Sequence, residues 1–113
     1  MSKDYKKTKA YRVLKQSLLD QLKENGNEKD FFLDLVEDYM KLWVIKNQLM
    51  DDIEERGVAV KYNNGGGQYG VKKNENVDQL LKVNTQMLKI LTQLEIKAIP
   101  TESKSTEDLD DEL

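Results

Sequence analysis

Cysteine and histidine are both absent from this sequence of 113 residues. Their absence excludes disulfides, zinc sites built from these side chains, thiol nucleophiles and the commonest general base of enzymes. No apolar run approaches the ~20 residues needed to cross a bilayer, and no signal-peptide pattern opens the chain. We therefore expect a cytoplasmic protein. We predict no catalytic residue, metal or cofactor for it.

The composition fits one small folded domain, because 38% of the residues are hydrophobic and 35% are charged. The net charge of -3 is unevenly spread along the chain. Residues 1–15 contain six bases against the single acid Asp4, and this pattern is typical of a nucleic-acid contact. An equally open interpretation is that these charges only keep the protein soluble. The candidate DNA-binding residues here are Lys3, Lys6, Lys7, Lys9, Arg12 and Lys15.

The opposite charge collects at the other end, where residues 100–113 form an acidic tail that begins at Pro100. A detached acidic tail can solvate the protein or engage a partner protein. The sequence thus divides into a flexible basic arm over residues 1–7, a helical core over 8–99 and an acidic tail over 100–113.

Two helices are predicted in the first half of the core. Apolar residues at helical spacing run from about residue 8 to 23, and Asn25-Gly26 follows as a stop signal. A second, longer helix is predicted from about residue 28 to 56, closed by Gly57. Its apolar residues form two neighbouring faces, so we expect it to have two neighbours.

A third helix is predicted from about residue 75 to 96, with a coiled-coil spacing of apolar residues. The polar Asn84 falls on this seam, where such a residue can set register or oligomeric state. We expect the helices to drive self-assembly, although the three could instead bury these faces on one another within one chain. The candidate interface residues are Trp43, Leu80, Asn84, Met87, Leu91 and Leu94.

A glycine-rich stretch separates the second and third helices. It lacks the Lys-Ser or Lys-Thr pair of a phosphate-binding loop, because Gly70 is followed by Val71 and Lys72. Alternation of apolar and polar residues on both sides predicts a glycine-tipped β-hairpin over residues 58–73. Lys61, Lys72 and Lys73 lie near its base and form a second candidate DNA contact.

An acidic run at the end of the second helix could in principle hold a hard cation. It consists of Asp51, Asp52, Glu54 and Glu55. Runs of charge at helix ends are usually solvated, and we expect no metal site here.

The chain from the long helix onward resembles the small subunit of a phage terminase. The resemblance is carried by the long helix with Tyr39 and Trp43, the exit ERGVAV, the glycine hairpin and the run KKNENVDQLLKVNTQMLKILTQLEIKAIP. Glu75 stands where that family usually has proline, and Glu95-Ile96 stands where it usually has Gly-Leu. The resemblance covers about two thirds of the chain.

That resemblance implies a mainly α-helical protomer that assembles into a ring. It also implies a role in DNA packaging, in which the small subunit binds the packaging site on double-stranded phage DNA and delivers it to the large ATPase and nuclease subunit. The host cytoplasm would be its location.

Two other functions remain open on the residues alone. The first two helices and the turn at Gly26 could form a helix-turn-helix of a dimeric transcriptional regulator. The chain could also be a coiled-coil adaptor that ignores DNA. A ring that binds DNA, a dimer that binds DNA and an assembly that does not are separated by oligomer mass with and without duplex DNA.

Overall fold

Three helices and one β-hairpin make up the fold in a computed structural model, which describes residues 3–96 apart from the side chain of Asn64. The helices are α1 (Lys9–Glu24), α2 (Asp30–Arg56) and α3 (Glu75–Gln93), and a single 3₁₀ turn (Tyr5–Lys7) precedes α1. Strands β1 (Ala59–Gly65) and β2 (Gln68–Lys73) lie between α2 and α3. The predicted mainly helical fold with a long central helix and a hairpin is confirmed. The predicted acidic tail at 100–113 lies outside the described residues.

Local signals place the helix ends close to where the sequence predicts them. The Thr8 hydroxyl accepts a hydrogen bond from the Tyr11 amide at 3.1 Å and so caps α1. At the other end of α1, Gly26 has a φ of 74°. The amide of Asn27 then reaches back to the Leu22 carbonyl at 2.8 Å. This Schellman arrangement stops the helix and turns the chain toward α2.

The protomer is elongated, with extents of 62 × 40 × 24 Å. Helix α2 forms its spine: α1 packs on the first half, and α3 returns along it in the antiparallel direction. The central cluster takes side chains from all three helices, namely Leu18, Leu22, Val36, Met40 and Leu94. Helix α2 thus has two neighbours within one chain, α1 and α3, which meet it in this cluster.

The hairpin departs from the helical body, and its two strands pack mainly on each other. The antiparallel register pairs Ala59 with Lys73 and Asn63 with Tyr69. Gly66 and Gly67 connect the strands, with φ of 56° and 81°, in the left-handed region that suits glycine. An isolated two-stranded hairpin is marginal in water, so its attachment to the helices matters.

Candidate nucleic-acid interface

The first basic segment is docked on α2 by aromatic side chains. The Tyr5 ring meets the Trp43 ring edge-on, with centroids 6.0 Å apart and planes at 89°. Tyr11 approaches the same indole from α1 at 5.8 Å. The Tyr5 hydroxyl donates a hydrogen bond to Asp51, and this bond raises the pKa of the Tyr5 phenol. The sequence predicted a flexible arm here, whereas residues 3–7 are held against the long helix.

Most cations of this segment face solvent around the junction with α1. Lys6, Lys7 and Lys9 are exposed, and Arg12 donates to the Lys7 carbonyl at 3.2 Å. Lys7 also pairs with Asp4 at 3.8 Å, and this acid partly offsets the positive charge. We call the four solvent-facing cations the N-terminal cluster: Lys6, Lys7, Lys9 and Arg12.

The two remaining predicted cations of the segment lie apart from the N-terminal cluster. Lys15 turns toward α2 and forms an ion pair with Glu37 at 2.7 Å, which raises the pKa of the lysine. The Lys3 ammonium lies 5.3 Å from the centroid of the Tyr5 ring. The structure therefore assigns Lys15 a contact between helices and keeps Lys3 beside Tyr5. We call the group that holds this segment the aromatic anchor: Tyr5, Tyr11, Trp43 and Asp51.

The three hairpin lysines do not form one patch. Lys72 and Lys61 fall on opposite faces of the hairpin, because they pair with Val60 and Val71 respectively. Lys73 sits at the root and forms an ion pair with Asp78 of α3 at 2.9 Å. Either face of the hairpin therefore presents at most two of these lysines.

A polar cluster that sequence reasoning missed fixes the hairpin root. Asn74 is only 1% exposed, and its amide donates to the Gly57 carbonyl at 2.9 Å and to the Asp52 carboxylate at 3.1 Å. The oxygen of the same amide accepts from Arg56 at 3.1 Å and from the Asn76 backbone at 2.9 Å. We call these four side chains the root latch: Asp52, Arg56, Asn74 and Asn76.

The root latch also explains the acidic run at the end of α2. Asp52 accepts from Arg56 at 2.6 Å and from the Asn76 amide at 2.8 Å. These bonds, with the bond from Asn74, hold the pKa of the Asp52 carboxyl far below its usual range. Asp51 meanwhile accepts from Tyr5. Two of the four acids therefore have assigned partners in the fold, and no metal-binding cluster is found among residues 3–96.

The six predicted interface residues are divided between the interior and the surface. Met87 and Leu94 are buried inside the single chain, and Leu91 packs against its core cluster. Trp43 is half-buried between Tyr5 and Tyr11. Leu80 and Asn84 are partly exposed at the edge of the α3 seam. The seam spacing thus marks the side of α3 that packs on α2, so this side is not free for another copy.

A different stripe of α3 faces outward, and we call it the outer stripe: Leu81, Thr85, Leu88 and Thr92. Leu88 is 65% exposed, and Leu81 is similarly open. The hydroxyls of Thr85 and Thr92 donate to the Leu81 and Leu88 carbonyls at 3.0 and 3.1 Å. Because the hydroxyls are satisfied within the helix, this stripe is more apolar than its composition indicates.

Comparison with known proteins identifies the family of the chain. Within residues 3–96, no helix is both long and apolar enough to span a membrane. No curated protein and no solved structure gave a match. A family model described as phage terminase, small subunit, matches residues 16–98, which include the second half of α1 and all of α2, the hairpin and α3. Since this match extends over most of the sequence, the chain belongs to the phage terminase small subunit family.

Proposed function

We propose that this chain binds the packaging site on double-stranded phage DNA and delivers that DNA to the large terminase subunit in the host cytoplasm. The family match over residues 16–98 is the observation that carries the proposal. The role is one of binding and assembly, and the ATPase and nuclease would reside in the large subunit. The acidic tail at 100–113 is the proposed segment for contacting a protein partner.

The N-terminal cluster is the proposed phosphate contact. Residues 3–15 carry six bases and one acid, and the aromatic anchor holds the start of this segment at a defined place on α2. Cations that contact phosphates release counterions, so affinity falls steeply as salt rises. Such contacts position a protein on DNA without selecting its sequence.

Salt-dependent binding isotherms test this assignment. Replacing Lys6, Lys7 and Lys9 together by alanine should weaken binding to all duplex sequences alike and reduce the salt slope by roughly three units at most. The matched variant replaces Lys61, Lys72 and Lys73 instead. An unchanged slope in the N-terminal variant, combined with a reduced slope in the hairpin variant, would transfer the phosphate contact to the hairpin.

Assembly into a ring is proposed to use the outer stripe of α3. Leu88→Asp puts a charge on an exposed position, so the isolated protomer should still fold while the assembly dissociates. Leu94→Asp is the matched control, because Leu94 is fully buried in the core cluster of its own chain. A buried unpaired charge costs several kcal/mol, so this variant should unfold rather than yield folded monomers. Analytical sedimentation showing an intact Leu88→Asp assembly would contradict the interface.

The helix-turn-helix regulator makes different predictions for the same preparations. It would sediment as a dimer, and its affinity for DNA would depend on a recognition helix. Sedimentation of the full chain with and without duplex DNA therefore tests the whole proposal, since a dimer in both conditions would favour the regulator.

A further inference from the structure

The two faces of the hairpin differ in how far they are already occupied. Residues that pair directly across the strands share a face. Val60, Tyr62, Gly70 and Lys72 therefore lie on one face, which we call the closed face. The opposite one, which we call the open face, carries Ala59, Lys61, Asn63, Tyr69, Val71 and Lys73.

The closed face is covered by its own side chains. The Tyr62 ring lies over Gly70 so tightly that a Cβ there would stand 2.5 Å from the ring carbon Cζ. The Lys72 ammonium lies 6.0 Å from the centroid of the same ring. An aromatic ring over a strand glycine stabilises the pairing of the two strands. The closed face thus serves the hairpin itself.

The open face presents apolar side chains to solvent. Tyr69 is 76% exposed and Val71 is 64% exposed, and they follow each other on one face of β2. Lys61 and Asn63 stand beside them on β1. No helix covers this pair in the part of the chain that the structure describes. Contiguous exposed apolar groups of this kind usually mark a binding surface.

Charge indicates which class of partner this surface fits. Residues 57–74 contain three lysines and no acidic residue, although the chain as a whole carries a net charge of -3. Two of these lysines, Lys61 and Lys73, lie on the open face, and Lys73 is paired with Asp78 of α3. Such a segment suits a polyanion better than a protein surface of mixed charge. The root latch fixes this segment to the ends of α2 and α3, so the hairpin is presented in a defined direction.

We infer that the open face of the hairpin docks in the major groove of duplex DNA, where Tyr69 and Val71 make apolar contacts with base edges. The inference rests on the proposed DNA-binding function and adds a sequence-dependent contact to it. The N-terminal cluster supplies the sequence-independent contact to phosphates, and Lys61 and Asn63 flank the apolar pair with groups that can hydrogen-bond to bases.

The dimensions of the hairpin agree with this site. Paired strands lie about 4.8 Å apart, and the major groove is about 12 Å wide, so it admits a two-stranded ribbon with its side chains. The thymine methyl group projects into this groove and is the apolar feature that a tyrosine or valine side chain would meet. The minor groove carries no methyl group, so the two docking modes are chemically distinguishable.

A thymine-to-uracil exchange tests the inference, because uracil lacks only that methyl group. The full chain is used to enrich duplexes from a pool of randomised sequence. The most enriched duplex is then synthesised with thymine and with uracil. We expect the wild type to bind the thymine duplex about fourfold more tightly or better, the effect of burying at least one methyl group. The double variant Tyr69→Ser, Val71→Ser should still bind but lose this ratio.

Two control variants distinguish an effect of the open face from an effect of another exposed valine and from an effect of the phosphate contacts. Val58 is as exposed as Val71, at 64%, but it precedes β1 and is not part of the open face, so Val58→Ser should keep the ratio. Alanine at Lys6, Lys7 and Lys9 should lower both affinities and also keep the ratio.

Each of the remaining outcomes would refute either the proposed DNA-binding function or the major-groove inference. Absence of any binding to the pool would refute the proposed DNA-binding function. Binding without enrichment, equal affinity for the two duplexes, or an unchanged ratio in the double variant would overturn the major-groove inference alone. The last of these results would leave the open face to a protein partner.

Discussion

The two basic regions of the protein differ in how they are attached to the helical body. The N-terminal segment is held by aromatic contacts, in which Tyr5 and Tyr11 enclose Trp43. The hairpin is held by the root latch, a set of hydrogen bonds around the buried Asn74. Apolar contacts tolerate small changes in geometry, whereas a buried amide loses stability sharply when its partners are lost. The comparison indicates that each region can be detached without detaching the other.

Limited trypsin digestion reports on the local opening of both regions in one experiment, because each region carries lysines. Cleavage at Lys6, Lys7 and Lys9 reports on the N-terminal segment, and cleavage at Lys61 and Lys72 reports on the hairpin. Proteolysis of a locally opened segment tracks the population of the open form when opening is fast. Mapping the fragments by mass therefore gives a separate measure for each attachment.

The largest effect is expected for Trp43→Ala. It removes the half-buried ring that Tyr5 and Tyr11 contact, and a truncation of this size lowers the free energy of unfolding by about 3 kcal/mol. Trypsin cleavage at Lys6 and Lys7 should accelerate more than cleavage at Lys61. Trp43→Phe keeps an aromatic ring and serves as the control. Equal acceleration at both regions would mean that the two attachments are not independent.

Asn74→Ala is expected to accelerate cleavage in the hairpin more than in the N-terminal segment, with a somewhat smaller loss of stability than Trp43→Ala. The change removes a helix cap and leaves the Gly57 carbonyl and the Arg56 guanidinium short of partners, which together lower the free energy of unfolding by about 2 to 3 kcal/mol. Cleavage at Lys61 and Lys72 should accelerate, with little change at Lys6.

Asn76→Ala is the matched control for the root latch. It removes a single side-chain hydrogen bond, to Asp52, and leaves the backbone amide that Asn74 caps. This variant should lower the free energy of unfolding by about 1 kcal/mol. A larger effect than that of Asn74→Ala, measured by chemical denaturation, would contradict the central position of Asn74.

Acid should weaken the root latch through the protonation of Asp52. The pKa of Asp52 is lowered in the fold by its bonds to Arg56, Asn76 and Asn74. Its stabilising contribution is thus complete above the unfolded pKa of about 4 and is lost as the pH falls toward the folded value. Denaturation midpoints measured from neutral to acid pH should fall less steeply for Asp52→Asn than for the wild type. Parallel curves would contradict this role.

The elements of the fold were predictable because their signals are local. Periods of 3.6 and 2 residues distinguish helices from strands, and Gly26 and Gly57 mark where helices end. The packing partner of the α3 seam was not predictable. A periodic apolar face indicates that the face is buried, but it does not indicate which element buries it. Leu94 and Met87 turn toward α2 of the same chain, and the outer stripe is the surface that stays open.

The two attachments were missed for a different reason. The root latch joins residues 52–56 to residues 74–76, and the aromatic anchor joins Tyr5 to Asp51, so each needs knowledge of which segments meet. Weak signals were present nonetheless. Asn74 stands where an N-cap of α3 is expected, and Asp52 and Arg56 have the spacing of a helical ion pair. Neither signal reveals that Asn74 meets the ion pair of Asp52 and Arg56.

The smallest expected effect comes from Tyr5→Phe, which keeps the ring on Trp43 and removes only the bond to Asp51. The carboxylate raises the pKa of the Tyr5 phenol. Because the folded pKa exceeds the unfolded value of about 10, the contribution of this bond is complete below that pH and is lost as the pH rises through the folded value. Trp43 is the one tryptophan, so its fluorescence reports on this anchor. In a Tyr11→Phe, Tyr39→Phe background, which removes the phenols of the other two tyrosines beside Trp43, an alkaline transition in Trp43 fluorescence should be present with Tyr5 and absent with Phe at that position. Persistence of the transition after Tyr5→Phe would show that the hydroxyl does not help to hold the N-terminal segment, leaving ring packing as its attachment.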